Sequence, residues 1–233
     1  MQRWVSIHET NCDPIREAQY NEWCDGIHIP DVLTTPGFVR ARRFQGKEFR
    51  DGRGKYMTLC EIETDDIEKT MEDREQRRSH ENELGRGSAS RPDFEFPVWR
   101  DVLWSQISVL TAPRNSTGKS GKWLNFVELN CDPAREDEFR EWYDDTHLPD
   151  VLRTPGFVSA TRYRIKEFRN GRGKYLAIYG IETDDIETTM KVRLAQRAEA
   201  AKHGRSGDNR PHLVRQVWRD VLWRQLAEHK AEP

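Results

Sequence analysis

Hydrophobic and polar positions alternate along several short stretches of the chain. Residues 3–10 and 122–129 place aromatic or β-branched side chains between polar ones, the pattern of a strand with one buried face. Residues 38–49 and 55–63 alternate in the same way on either side of an Arg-Asp-Gly-Arg-Gly segment, which predicts a hairpin. A further strand is predicted at 98–107.

Helices are predicted after the first strand and after the hairpin. Asp13-Pro14 supplies an N-cap and a proline at the first helical position, and this helix is expected to run to about His28. Residues 64–66, Thr-Asp-Asp, begin a second helix in the same way. The order strand, helix, strand, strand, helix, strand predicts a ferredoxin-like α+β module, an antiparallel sheet with its helices on one face.

The whole pattern is present twice. Trp4 aligns with Trp123 at an offset of 119 residues, and NCDP, PDVL, TPGF, KEFR, GRGKY, IETDDIE and VWRDVLW each recur at that offset. Such self-similarity is the signature of a duplicated structural unit. The sequence therefore predicts two ferredoxin-like modules, residues 1–110 and 122–233, joined by a polar linker at 111–121.

Charge and composition narrow the classes of partner. The 38 basic and 40 acidic residues leave a net charge of −2, so no overall field attracts nucleic acid or an anionic membrane, and a small molecule or another protein is expected. The sequence has no signal peptide and no long apolar span, which favours a cytoplasmic protein. The cysteines lack disulfide or zinc spacing, so reduced thiols and no metal are expected at Cys12, Cys24, Cys60 and Cys131.

Strand alternation divides each predicted sheet into two faces. We expect Val5 and Ile7 to lie under the helices, while the bare face of each module is buried against another module, as a barrel with an aromatic-lined cavity or as a plain packed interface. Arg43 and Arg162 could clamp a carboxylate or lie under a helix. The candidate substrate-binding residues of the bare faces are Trp4, His8, Arg40, Arg42, Tyr56, Trp123, Tyr175 and Tyr179.

A dense polar motif closes the first predicted helix of each module. Asp25 and His28 are three residues apart, as are Asp144 and His147, so each carboxylate could accept a ring N–H and make the imidazole a better base. The alternative is a helix end at which a protonated histidine only offsets the helix dipole.

The segments EWCDGIHIPDVLTTPGFVRARRF and EWYDDTHLPDVLRTPGFVSATRY resemble the dimeric α+β barrel superfamily, and within it the EthD-like branch. That resemblance implies a range of activities: cofactor-free monooxygenases, polyketide cyclases, lactone isomerases, dehydratases and haem enzymes. It also implies an acid/base role for a histidine near the first helix, which transfers to His28 and His147, and pairing of subunits into a homodimer. The first copy departs from the pattern at Cys24 and Gly26.

The leading hypothesis is a cofactor-independent lyase of aromatic catabolism, acting on a small aromatic or polyketide-like molecule. His147 would be the acid/base, with Asp144 and Tyr143 beside it, while His28 and Asp25 form a weaker counterpart. The alternatives are a cofactor-free monooxygenase, an isomerase or cyclase, a non-catalytic binding protein, and a haem protein whose axial ligand is one of the histidines, including His8.

Overall fold

The computed structural model describes residues 1–47, 54–91, 95–112, 121–167, 173–210 and 213–232. Most of the predicted hairpin turn and most of the predicted linker lie outside these residues.

Each repeat contains the predicted order of strands and helices. The strands are β1 Gln2–Cys12, β2 Phe38–Gly46, β3 Tyr56–Thr64, β4 Glu95–Thr111, β5 Gly121–Cys131, β6 Phe157–Ile165, β7 Tyr175–Thr183 and β8 Val214–Lys230. The helices are α1 Glu17–Trp23, α2 Ile29–Leu33, α3 Ile67–Glu83, α4 Glu136–Trp142, α5 Leu148–Leu152 and α6 Ile186–Lys202. Among the described residues, no helix is long and apolar enough to span a membrane.

The first helical segment begins as predicted but ends later. The Asp13 side chain accepts a hydrogen bond from the Ile15 amide, a turn of 3₁₀ helix precedes α1, and a π-helical turn at Cys24–His28 leads directly into α2. The predicted end at His28 is wrong because the wide turn interrupts the α-helical ladder just before Pro30, so the missing proline N–H does not stop the helix.

The chain divides into two compact units that do not end where the repeats end. The first unit comprises residues 1–105 and 225–233, and the second comprises residues 106–224. Within the first unit the strand order is β4, β1, β3, β2 and the end of β8; within the second it is β8, β5, β7, β6 and the end of β4. The last part of each long strand therefore belongs to the unit built mainly from the other repeat.

The predicted assignment of the sheet faces is wrong for the aromatic residues. Trp4, Phe38 and Cys60 belong to a core cluster with helix residues such as Ile29 and Val32, so they lie under the helices. The residues expected there instead face the other way and are buried as well, with Val5, Ile7, Met57 and Leu59 no more than 2% exposed. Both faces are apolar, and alternation separates two faces without showing which one the helices cover.

A bulge explains why Arg40 and Arg42 lie on the face not covered by the helices, although the aromatic residues predicted to share that face do not. The register between β2 and β3 shifts between Phe38 and Arg40, so Phe38 and Ala41 share the helix-covered face. Arg40 then lies opposite Glu61, on the face that the helices of the unit do not cover.

Candidate active site

A π-helical turn at Tyr143–His147 carries the polar motif of the second unit. The Leu148 amide donates to the Tyr143 carbonyl, five residues back, so the turn is wider than an α-helical one. Residues three apart are therefore not stacked on one face, and Asp144 does not pair with His147. Its carboxylate instead lies 2.8 Å from Arg162 Nη1 and accepts a 2.9 Å hydrogen bond from Ser108.

The same correction applies to the first unit. Asp25 accepts a 2.7 Å hydrogen bond from Arg43 Nη1 and lies 3.0 Å from His229 Nε2, while the Nδ1 atom of His28 is buried without a hydrogen-bond partner in the described part of the chain. The predicted carboxylate–imidazole pairs are thus replaced by ion pairs between the π turns and the sheet.

Arg43 and Arg162 lie under the helices, the second of the two expectations for them. Both are almost fully buried, at 1% and 2% exposure. Arg43 Nη2 donates to Asn21 Oδ1 at 2.6 Å, and the Arg162 guanidinium lies 4.6 Å from the centre of the Tyr143 ring. These arginines fasten the π turns to strands β2 and β6.

His147 lies among aromatic rings and is neutral at physiological pH. Its ring centre is 4.7 Å from that of Tyr143 and 5.0 Å from that of Trp142. Burial, together with the charges of Arg193 and Arg197, lowers the pKa of His147 to about 3. A neutral imidazole followed directly by α5 cannot act as a cationic helix cap, so this alternative does not fit.

A pair of phenols lies beside His147. The hydroxyls of Tyr143 and Tyr179 are 3.0 Å apart and hydrogen-bonded. Burial raises the pKa of both phenols, so both remain protonated. One proton occupies the hydrogen bond between them, and no acceptor for the second is present among the described residues. The pair therefore retains one O–H that can donate to a ligand.

Arg193 completes this group of side chains from helix α6. It follows the buried Ile186 and Thr189 on the same face of the helix, and this face packs on the core cluster that contains Tyr143 and Tyr179. Its charge contributes to lowering the pKa of His147, Tyr143 and Tyr179. Within the described residues it makes no ion pair and no hydrogen bond.

The matching arginine of the first unit does have a partner. Arg74 on α3 forms two hydrogen bonds to the carboxylate of Glu81, of 2.6 and 2.9 Å, and both side chains are buried. The residue equivalent to Glu81 is Ala200, so the second unit keeps the arginine and loses the acid.

The side chains around His28 in the first unit also offer weaker hydrogen-bond donors than those around His147. His28 stacks on Trp23 with ring centres 4.8 Å apart, and burial, with Arg74 and His8 nearby, lowers its pKa to about 3. Cys24 and Cys60 occupy the positions of the two tyrosines. Thiols are much weaker donors than phenols, so this cluster lacks a strong donor for a developing anion.

Six of the remaining predicted binding residues, all except His8, are committed to other contacts. Arg40 donates to Glu61 at 2.6 and 3.0 Å, and Arg42 donates to the same carboxylate at 2.7 Å. Tyr56 donates to Glu17, which also pairs with Lys55, and the second unit repeats this as Tyr175, Glu136 and Lys174. Trp4 and Trp123 pack in the helix-covered cores.

The structure therefore brings together three of the predicted residues, His147, Tyr143 and Tyr179, and adds Arg193. The alanine at position 200, where the first copy has Glu81, was the available signal for Arg193, because it removes the acid that pairs with the equivalent Arg74. His229 and Ser108 carried no such signal, since their roles depend on which unit receives each strand end. No group of three or more His, Cys, Asp or Glu side chains in the described segments is arranged to hold a metal ion.

Solved structures of related shape identify the fold. A proposed monooxygenase of Fusobacterium nucleatum matches with a TM-score of 0.64 and 8% identity over 98% of this chain and 94% of its own. An anthrone oxidase-like protein matches with a TM-score of 0.62 and 16% identity over 100% of this chain and 94% of its own. This chain has the dimeric α+β barrel fold. It is a tandem of ferredoxin-like modules, as the repeat predicted.

Further comparisons show other proteins of similar fold but do not assign an activity to this chain. Chlorite dismutase from Candidatus Nitrospira defluvii, solved in complex with imidazole, matches with a TM-score of 0.59 and 10% identity over 97% of this chain and 91% of its own. A family model described as a domain of unknown function, DUF4286, matches residues 124–204. No curated protein matches the sequence. Identities this low establish the fold alone, and several chemistries share such folds.

Proposed function

We propose that the chain is a cofactor-independent enzyme whose active site is the cluster of the second unit, with His147 as the general acid/base. The observation that carries the proposal is the combination of a neutral imidazole, a phenol pair with one uncommitted O–H and an arginine without an acid partner. Arg193 is half-buried at the edge of this cluster, and a cation in that position that is not engaged by an internal acid can stabilise a developing anion.

The chemistry that suits this group begins with a proton transfer. His147 would take a proton from a C–H or O–H of a small aromatic or polyketide-like substrate, and the free O–H of the tyrosine pair would donate to the oxygen on which negative charge develops. Elimination or retro-aldol cleavage then breaks a carbon–oxygen or carbon–carbon bond, and the imidazolium returns its proton to the leaving fragment. This is lyase chemistry, and it consumes no oxidant.

The low pKa of His147 is compatible with this role when a substrate is bound. Burial and two nearby arginines disfavour the imidazolium in the free protein. An anionic substrate or intermediate beside Arg193 would offset that positive field, stabilise the imidazolium and raise the pKa of the ring toward the range in which a base is effective.

A monooxygenase is the second candidate. Two fold neighbours are described as a proposed monooxygenase and an anthrone oxidase-like protein. The same base could generate a substrate carbanion that reacts with molecular oxygen. Turnover that stops in anaerobic buffer would favour this reaction over the lyase.

The test compares the two histidines as a matched pair. Ligands are first found by thermal shift with small aromatic and polyketide-like compounds, and turnover of the hits is followed by mass spectrometry. His147→Ala should reduce turnover by about 10²–10⁴-fold with the fold intact by circular dichroism, and His28→Ala should reduce it far less. Equal losses would indicate two active sites, and no loss in either variant would contradict the proposal. A Soret band in the purified protein would favour the haem alternative instead.

A further inference from the structure

The position of the unpaired arginine bears on the kind of substrate that the site accepts. In the first unit the carboxylate of Glu81 occupies the ideal place for a planar anion, with both oxygens hydrogen-bonded to Arg74 at 2.6 and 2.9 Å. Arg193 occupies the equivalent position on α6, and the alanine at position 200 removes the internal carboxylate from the second unit.

Groups around Arg193 complete a receptor for an aromatic acid. The tyrosine pair offers one O–H as a second donor, and the rings of Trp142 and Phe139 belong to the same core cluster as the two tyrosines. Arg197 is paired with Asp208 at 2.5 and 2.9 Å, whereas Arg193 has no such partner among the described residues.

We propose that Arg193 binds a carboxylate group of the substrate, in the place that Glu81 fills in the first unit, and that the substrate of the second unit is an aromatic carboxylic acid. This inference rests on the proposed function for the location of the site, but it concerns binding and does not depend on the reaction. A guanidinium binds a carboxylate through two parallel hydrogen bonds, and the acid in the first unit shows that the two helical turns between these positions allow that geometry.

The experiment measures binding of two probes that differ in charge. Salicylate and 1-hydroxy-2-naphthoate are titrated into the full-length protein by calorimetry, together with their carboxamides, which have the same shape and no charge. The acid that binds should do so at least tenfold more tightly than its amide. Equal binding of acid and amide, or no binding of either acid, would overturn the inference.

Three variants locate the effect. Ala200→Glu restores the acid of the first unit, so it should neutralise Arg193 and weaken binding of the acid at least tenfold without lowering the melting temperature. Ala198→Glu adds the same charge at an exposed position of α6 and should leave the dissociation constant within about twofold of the original. Arg193→Met should lose the preference for acid over amide. Unchanged binding in Ala200→Glu would overturn the inference even if Arg193→Met failed to fold.

The same titrations separate this inference from the proposed function. His147→Ala should retain binding of the acid while losing turnover. Retained turnover in that variant, together with a tenfold preference for the acid, would contradict the general-base role and leave the carboxylate site standing.

Discussion

The two units share a frame and differ at the centre. In both, the indole of the first helix donates to a backbone carbonyl, as Trp23 to Arg86 at 3.0 Å and Trp142 to Arg205 at 3.1 Å. In both, a π turn is fastened to the sheet by a buried arginine. The side chains around the histidine, however, differ. The first unit has two thiols and an arginine paired with Glu81, and the second has two phenols and an arginine without an acid partner among the described residues. The duplicated residues thus hold the fold, and the residues that differ indicate where the chemistry lies.

The largest expected effect on stability concerns the buried arginines. Asp144→Ala should cost about 3–5 kcal/mol of unfolding free energy, because Arg162 is left buried without a countercharge. Asp25→Ala should cost less, since Arg43 keeps its hydrogen bond to Asn21. Arg162 has no such second acceptor, because the residue equivalent to Asn21 is Arg140, whose side chain cannot accept a hydrogen bond. Urea denaturation of both variants measures the difference, and a larger loss for Asp25→Ala would contradict the argument.

The tyrosine pair should affect turnover more than folding. Tyr179→Phe removes one hydroxyl of the pair and with it the hydrogen bond that positions the donor to the developing anion, and we expect a loss of about 10²–10³-fold in kcat, the range for one oxyanion donor. Its cost in unfolding free energy should be about 1–3 kcal/mol, because the Tyr143 hydroxyl loses a buried partner. Cys60→Ser at the equivalent position of the first unit is the control and should leave kcat unchanged. Steady-state kinetics with the best ligand from the screen would show either result.

Acidification should destabilise both units through their histidines. The folded pKa of His28 and of His147 is about 3, below the ordinary value of 6.5, so the unfolded chain binds more protons between these values. The stability from each neutral histidine is present above pH 6.5 and is lost as the pH falls toward 3, by up to about 1.4 kcal/mol per pH unit for each ring. Urea midpoints between pH 7 and pH 4.5 should fall less steeply in the double variant His28→Gln, His147→Gln. An unchanged slope would mean that the rings are not held neutral.

The smallest effect, and a similar one in both units, is expected at the tyrosines bound to the first helix. Tyr56→Phe and Tyr175→Phe each remove one hydrogen bond to a partly exposed glutamate, which should cost about 1–2 kcal/mol. Thermal denaturation should give equal shifts within error. A marked inequality would show that the frame, and not only the centre, has diverged.

The sequence was sufficient to predict the fold because its signals are local and repeated. Alternation, the cap at Asp13 and the offset between Trp4 and Trp123 each depend on neighbouring residues or on the duplication itself. The order of elements in both repeats and the ferredoxin-like class followed from these signals and are confirmed.

The arrangement of the site could be predicted only in part, because it depends on longer-range features. The pairing of Asp25 with His28 assumed an α-helical spacing, and nothing in the local sequence indicates that this turn has π geometry. The orientation of Trp4 and Tyr56 depended on which of two apolar faces the helices cover. The comparison of the two copies did predict that His147, with Tyr143 beside it, is the more promising centre, and this remains a prediction for kinetics to test.

The division of the long strands has a consequence for the order in which the protein can fold during synthesis. The second unit is continuous, residues 106–224, whereas the first requires residues 225–233 to complete its sheet. At about 5–20 residues per second, the ribosome needs roughly 6–24 s to pass from residue 105 to residue 225. Throughout that interval the edge of β2 lacks its neighbour, the end segment 225–233, in which the Ala231 amide finally donates to the Val39 carbonyl of β2. The part of the chain made first is thus the last to be completed.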